Sequence, residues 1–322
     1  PDDIDAEIVL AYIFQITKGK KLLLVTADDD VRLKARAAHS MAYLFNLDRT
    51  KVLAGNPNAD EIEFEYLESY RNDEGKEYLH ALANLRGPKK WKSHDYKDQV
   101  VKFIEKHGKV NIVFLANPLS FIDVLPKIKP AQVEQILAMG LWKPDITAYN
   151  SNSTVKAAIE LIRWCKAGAV ELYNLTSPMF IGLDRVAKAI EKARANLFSQ
   201  IIHGNIFPRM VSGLERFRNA LAHRLFRKYS AIASFVQLWD PHTNAWLQDV
   251  VTAVVGMVPG SVTKWTSVDI EIDAAGKTPL GYKVKQTPNA ASTIFTAEEL
   301  DQDLVAATLA GVYTNVKVRP EF

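Results

Sequence analysis

Two short runs constrain this chain more than anything else in it. LLLVTA (Leu22 to Ala27) and VNIVFLA (Val110 to Ala116) are apolar almost throughout and are flanked by charged or turn-forming segments. A strand with one wet face alternates apolar and polar residues. A run with little alternation must be covered on both faces, the condition of a parallel sheet between two layers of helices.

Helical patterns alternate with these runs. Asp2 and Asp3 can cap a helix carrying Ile4, Ile8, Ala11 and Tyr12. Further helices are expected over roughly Leu33 to Leu47, from Pro130 to about Met139, and onward from Ser153 or Thr154. KVLAG and AVELYNL (Ala169 to Leu175) read as strands, Asn56 to Gly75 as a polar stretch, and Gly87 to Asp98 as a charged loop. From Asp184 to Gly256 the pattern is mostly helical, broken at QLWDPHTNAW. The end changes character: SVDIEID, GYKVKQ, STIFTA and NVKVRP alternate apolar and polar residues around a short helix expected at Ala297 to Gly311. The expected fold is α/β, a largely parallel central sheet flanked by helices, with extra β structure near the C-terminus.

The chain has 322 residues, 48% hydrophobic and 24% charged, enough apolar material for a large core and too much for disorder. With no repeats or low-complexity linkers, residues 1–322 are read as one domain. Forty basic residues against 37 acidic give a net charge of +3, unlike the clustered basic excess of a dedicated nucleic-acid binder. The single cysteine, Cys165, excludes an intrachain disulfide framework and a cysteine-based zinc site, which points to an intracellular, reducing compartment. It lies in the apolar helical stretch AAIELIRWCKAG and reads as a buried hydrophobe. No apolar run approaches the roughly 20 residues of a membrane helix.

Several features bear on chemistry. Acidic clusters at Asp2, Asp3 and Asp5, at Asp28 to Asp30, and the downstream Asp249 carry the oxygen ligands a hard cation needs, although each alone also serves as a helix cap or a solvated turn. Arg216 to Ser230 carries five basic side chains, but Phe217, Leu221 and Leu225 share one helical face, so an amphipathic helix is preferred to an RNA-binding element. His203 is an isolated histidine in an expected loop. There is no phosphate-binding glycine loop, no GxSxG elbow and no HExxH.

Read in order, several segments together resemble the inosine-uridine type nucleoside hydrolases, an α/β family that cleaves N-glycosidic bonds with a Ca²⁺-bound water. Pro1-Asp2-Asp3-Ile4-Asp5-Ala6 is similar to the second half of the family's opening Asp-x-Asp-Pro-Gly-x-Asp-Asp-Ala, which places a calcium ligand on Asp5 and puts Ile4 where an aspartate holds ribose. Val25-Thr26-Ala27-Asp28 resembles its Val-x-Gly-Asn strand end. Asn117-Pro118-Leu119-Ser120-Phe121 resembles Gly-Pro-Leu-Thr-Asn, where a carbonyl at the position of Ser120 reaches the metal. Met139-Gly140 resembles Met-Gly-Gly, and Ala148-Tyr149-Asn150 stands where Glu-Phe-Asn binds ribose. Ala157-Ala158 keeps its offset behind Thr154-Val155-Lys156, which replaces Asp-Pro-Glu. Gln248-Asp249 is similar to the His-Asp pair, keeping a calcium ligand and losing the histidine, and Ser267 to Asp273 resembles the strand Val-Asp-Val-Glu. His80 to Leu85 is similar to a glycine-rich flap without its glycines, whose loss implies altered closure over substrate.

The resemblance puts the family's catalytic aspartate immediately before Pro1, on a central strand that this sequence does not contain. Hydrolysis by that mechanism is therefore not expected, and upstream residues or a partner's strand are expected to complete the sheet. Two readings follow. In the first, the protein is a catalytically inactive, nucleoside-hydrolase-like structural or scaffold subunit of a larger assembly, with other protein subunits as partners and no cofactor. In the second, it is a divergent Ca²⁺-dependent nucleoside N-ribohydrolase in which Asp5, Asp249 and the Ser120 carbonyl hold calcium and Asn150 holds ribose. The first is preferred, because site residues and not the fold decide activity. A mitochondrial location is compatible with the N-terminus and the mild basicity.

Overall fold

The computed structural model describes residues 4–18, 21–27, 30–47, 49–57, 80, 83–84, 91–92, 94–152, 154–176, 181–182, 185, 188–189 and 246–313. Its core is a mixed sheet between two helical layers. The strands are β1 (Leu23–Thr26), β2 (Lys51–Ala54), β3 (Val110–Phe114), β4 (Val133–Met139), β5 (Trp142–Lys143), β6 (Ile146–Thr147), β7 (Glu171–Leu175), β8 (Ile181–Gly182), β9 (Trp246–Leu247), β10 (Val262–Thr278), β11 (Gly281–Pro288) and β12 (Ile294–Leu300). The helices are α1 (Ile4–Thr17), α2 (Val31–Leu44), α3 (Tyr96–His107), α4 (Leu119–Ile122), α5 (Tyr149–Asn152), α6 (Val155–Gly168), α7 (Gln248–Val255) and α8 (Gln302–Tyr313).

Eight strands pair in the order β3-β4-β7-β12-β10-β11-β6-β5. β3, β4, β7 and β12 are mutually parallel; β10, β11, β6 and β5 continue the sheet antiparallel. This is the expected α/β architecture with additional β structure toward the C-terminus. β1 and β2 form a separate parallel pair, and β8 and β9 form a small antiparallel one.

Side chains alternate between the two layers. On β4, Leu137 joins a cluster with Val9, Tyr12 and Ile13 of α1, Leu33, Ala37 and Met41 of α2, Val250 and Val254 of α7, and Val305 and Leu309 of α8. Its neighbours Ile136 and Ala138 join the opposite cluster, with Val100 and Ile104 of α3, Phe121 of α4, and Leu161, Ile162 and Cys165 of α6. The outer pair obeys the same rule: Leu24 faces the first layer, and Leu23 and Val25 face the second.

Local chemistry explains several boundaries. At the start of α3 the Asp95 carboxylate accepts the Lys97 N–H at 2.9 Å, Lys106 and His107 sit in the last turn, and Gly108 (φ 76°) ends the helix in a conformation that favours glycine. α6 buries Ala157, Ala158, Leu161, Ile162 and Cys165, one stripe at helical spacing.

The structure corrects the helix expected from Pro130 to Met139. Pro130–Gln132 is a single 3₁₀ turn, and Val133–Met139 is strand β4. A short apolar run fits either period, and the choice falls to pairing: β4 lies between β3 and β7 with both faces buried. The C-terminal helix begins at Gln302, not Ala297, because Ala297 still pairs with Trp265. Asp2, Asp3, Asp28, Asp29, NVKVRP, His203 and Arg216 to Ser230 lie outside the described residues. Among the described residues, no helix is long and apolar enough to cross a membrane.

One buried polar side chain organises the sheet's far end. Asn174 of β7, fully buried, accepts the Leu141 N–H and donates to the Trp142 carbonyl, both at 2.9 Å, and so fixes the turn that leads from β4 into β5. Asn174→Ala leaves a buried donor and a buried acceptor without partners and is expected to cost about 2–4 kcal/mol in a urea unfolding titration. Burial also pushes the Cys165 thiol up to about 12. The folded protein is expected to resist thiol-directed alkylation at pH 8 and to label fully once unfolded, read by mass spectrometry.

Candidate functional site

Open parallel sheets gather ligands at the carboxyl ends of their strands, where successive connections diverge to opposite faces. Here the ends of β1 and β2 meet the helix that follows β3. The end of β2 approaches α4, which follows β3: the Asn56 N–H donates to Ser120 Oγ at 2.8 Å, and a Cβ added to Gly55 would stand 2.2 Å from that oxygen and 2.3 Å from the Thr26 carbonyl. Thr26 Oγ1 in turn donates to the Val31 carbonyl at 2.7 Å. The carboxyl ends of β1, β2 and β3 therefore meet in one polar crevice.

Asp123, on the turn after α4, is the hub of this crevice. Its Oδ2 accepts from Asn56 Nδ2 at 2.8 Å and from the Tyr96 hydroxyl, and Lys97 Nζ lies 3.4 Å away. Burial, reinforced by the hydrogen bond and charge of Asp123, raises the Tyr96 hydroxyl well above the ordinary tyrosine value, so it stays a neutral donor at physiological pH. Buried Asn117 accepts the Leu119 N–H at 3.1 Å and shapes the turn into α4.

The expected site residues fall on four different elements. Ser120 is buried within α4, its hydroxyl engaged by Asn56. Asn150 is buried on α5 and donates to the Met139 carbonyl at 2.7 Å, at the carboxyl end of β4. The turn around it is held by Ser151, which donates to the Leu141 carbonyl, and by Thr147, which accepts the Tyr282 N–H at 2.8 Å. Asp249 is buried in the first turn of α7, where the helix dipole favours a carboxylate. Asp5 lies in the first turn of α1, which packs against α7; its side chain lies outside those described. The flap-like segment meets α2 through Arg36, which donates to the Ala83 carbonyl and to Asn84 Oδ1.

Among the described residues Asp249 is the only buried carboxylate, and no three His, Cys, Asp or Glu side chains converge as metal ligands. A hard divalent cation needs several oxygens in one place, and the described donor set alone does not supply them. Sequence reading missed Asn56, Tyr96, Lys97 and Asp123. The available signal was a polar residue directly after the apolar run KVLAG and another just beyond Ser120.

Because Gly55 packs directly on Ser120 and Thr26, Gly55→Ala must displace β2 or α4. The expected loss is about 1–3 kcal/mol in chemical denaturation, with Asn56 and Ser120 separated in the crystal structure of the variant.

No protein-family model matches the sequence, and no curated protein matches it. Solved structures do. An inosine-uridine preferring nucleoside hydrolase from Bacillus anthracis superposes with a TM-score of 0.56 at 12% identity, over 98% of this chain and 97% of that one. An inosine-guanosine nucleoside hydrolase gives 0.64 at 11%, over 97% and 96%. A plant nucleoside hydrolase gives 0.58 at 13%, over 96% of each.

Proposed function

We propose that this chain, whose fold is nucleoside-hydrolase-like, does not hydrolyse nucleosides and serves as a structural subunit of a larger protein assembly. The observation that carries the reading is the state of the crevice. Its polar groups are spent on one another, Ser120 on Asn56, and Asn56 and Tyr96 on Asp123; at the end of β4 the Asn150 amide is likewise spent on the Met139 carbonyl. A hydrolytic site needs groups aimed at a substrate and a base placed to take a proton from water. The positions that resemble ribose-gripping or leaving-group residues carry Ile4, Phe121, Ala148 and Gln248, which neither charge nor protonate.

The second reading, a divergent Ca²⁺-dependent N-ribohydrolase, draws on Asp5 and Asp249, which stand in the first turns of two helices that pack on each other. In that reading Asp5, Asp249 and the Ser120 carbonyl hold calcium, the ion supplies an activated water, and Asn150 positions ribose.

Incubation of the protein isolated from its source with inosine, uridine and guanosine in millimolar calcium is expected to release no ribose above the uncatalysed rate. Native mass spectrometry is expected to show a calcium-free chain among unrelated subunits. Ribose release that disappears in Asp249→Ala, from a homo-oligomer with one calcium per chain, overturns the proposal.

A further inference from the structure

Between the start of β6 and α6, the residues Thr147, Asn150, Ser151 and Asn152 are all buried. Two of them face back toward β4: Asn150 donates to the Met139 carbonyl at 2.7 Å, and Ser151 donates to the Leu141 carbonyl. The other two face the turn between β10 and β11, which lies 135 and 128 residues further along the chain. Thr147 Oγ1 accepts the Tyr282 N–H at 2.8 Å and donates to Asn152 Oδ1, and Asn152 Nδ2 donates to the Leu280 carbonyl at 3.4 Å. These bonds form a closed ring that joins α5 to the turn.

Gly281 sits inside that ring. Its φ is 141°, a conformation that favours glycine, and a Cβ there would stand 2.7 Å from Thr147 Oγ1, 2.8 Å from Asn152 Oδ1 and 3.1 Å from the Thr147 carbonyl. Any side chain at this position would push the turn away from α5. The turn is also closed from within, because Thr278 Oγ1 donates to the Gly281 carbonyl at 2.8 Å and accepts the Leu280 N–H at 3.3 Å. The start of β11 is tied to the same side of the molecule: Lys283 pairs with Ile146, and the Val284 N–H donates to the Asp145 carbonyl at 3.1 Å. At the apex Pro279 is exposed and Leu280 is 66% exposed.

α5 is a single helical turn of four residues. A helix that short has no stability of its own, so its position is set by whatever grips it. Here it is gripped from two sides, by the end of β4 and by the β10–β11 turn, and the side chain of Asn150 lies on the first of these contacts.

We infer that the β10–β11 turn is a positioning clamp for Asn150: Thr147, Asn152 and Gly281 lock the turn to α5, so that the exposed apex and the polar end of β4 move as one unit. A displacement of Pro279 and Leu280 is felt at Asn150, and a change at the end of β4 is felt at the apex. The inference concerns where Asn150 stands, and it holds whether that amide serves ribose or only the Met139 carbonyl.

Hydrogen–deuterium exchange on the full-length protein, comparing wild type with Thr147→Val and Thr147→Ser, tests the clamp. Valine keeps the shape of the side chain and removes both hydrogen bonds, whereas serine keeps the hydroxyl. In Thr147→Val the bonded amides of Ser151 and Asn152 on one side, and of Tyr282 and Val284 on the other, are expected to exchange on the order of tenfold faster, while the amides of β7 keep their rates. In Thr147→Ser both groups are expected to stay near wild type. Should Thr147→Val fail to fold, Asn152→Ala opens the same ring from α5 and is read by the same criteria. Loosening confined to the turn, with α5 unchanged, overturns the proposal. So does acceleration spread equally over β7, which would make Thr147 a general stabiliser, and so does equal behaviour of the valine and serine variants.

Discussion

The constraint on which the rest of this structure depends is that an interior strand of a parallel sheet covered on both faces must be apolar on both faces and bonded on both sides. The first half of that condition selects residues such as Leu22 to Ala27 and Val110 to Ala116. The second half determines topology, because a buried backbone group without a partner costs as much as a lost hydrogen bond. β4, β7 and β12 meet both halves and are the most enclosed part of the molecule: Ile136, Leu172 and Ile294 are fully buried. Among the described residues β1 and β3 are each paired on one side only, and they are correspondingly more exposed.

Several polar side chains enter this interior to hold the backbone where it turns. Asn174, Asn150 and Ser151 each hold a main-chain group between the end of β4 and α6, and Thr147 holds the Tyr282 N–H of β11. Ser120 and Asn117 hold the Asn56 and Leu119 N–H groups between β2 and α4. These are the residue types that a binding site would also use, and their placement at the carboxyl ends of the strands is where such a fold accommodates ligands. What separates a turn clamp from a ligand group is the partner. In the crevice around Asp123 the partners are the protein's own amides, hydroxyls and ammonium groups, and these contacts tie β2, α3 and α4 together.

The expected site was legible in part. Ser120 and Asn150 were singled out by resemblance, and both are buried polar residues at strand ends. Their hydrogen-bond partners, Asn56 and the Met139 carbonyl, lie 64 and 11 residues away in sequence. The Asp123 hub left only two isolated polar residues as a trace in local pattern, since Tyr96 and Lys97 come from the start of α3 and Asn56 from a strand end, which only folding brings together. The misassigned run Val133 to Met139 fails for a related reason: its buried residues Val133, Ile136 and Leu137 stand at helical spacing, and pairing between β3 and β7 overrides that period.

The sequence by itself determined the layered α/β character, the position of the two apolar strands and the β-rich end, because burial on two faces and alternation on one are written in consecutive residues. Tertiary structure alone decided that β4 is a strand, that Asp123 gathers three partners, and that β1 pairs with β2 while β3 pairs with β4. Those are properties of pairing between segments far apart in the chain, and hydrogen bonds across a sheet depend on which strand arrives alongside, which no local pattern encodes.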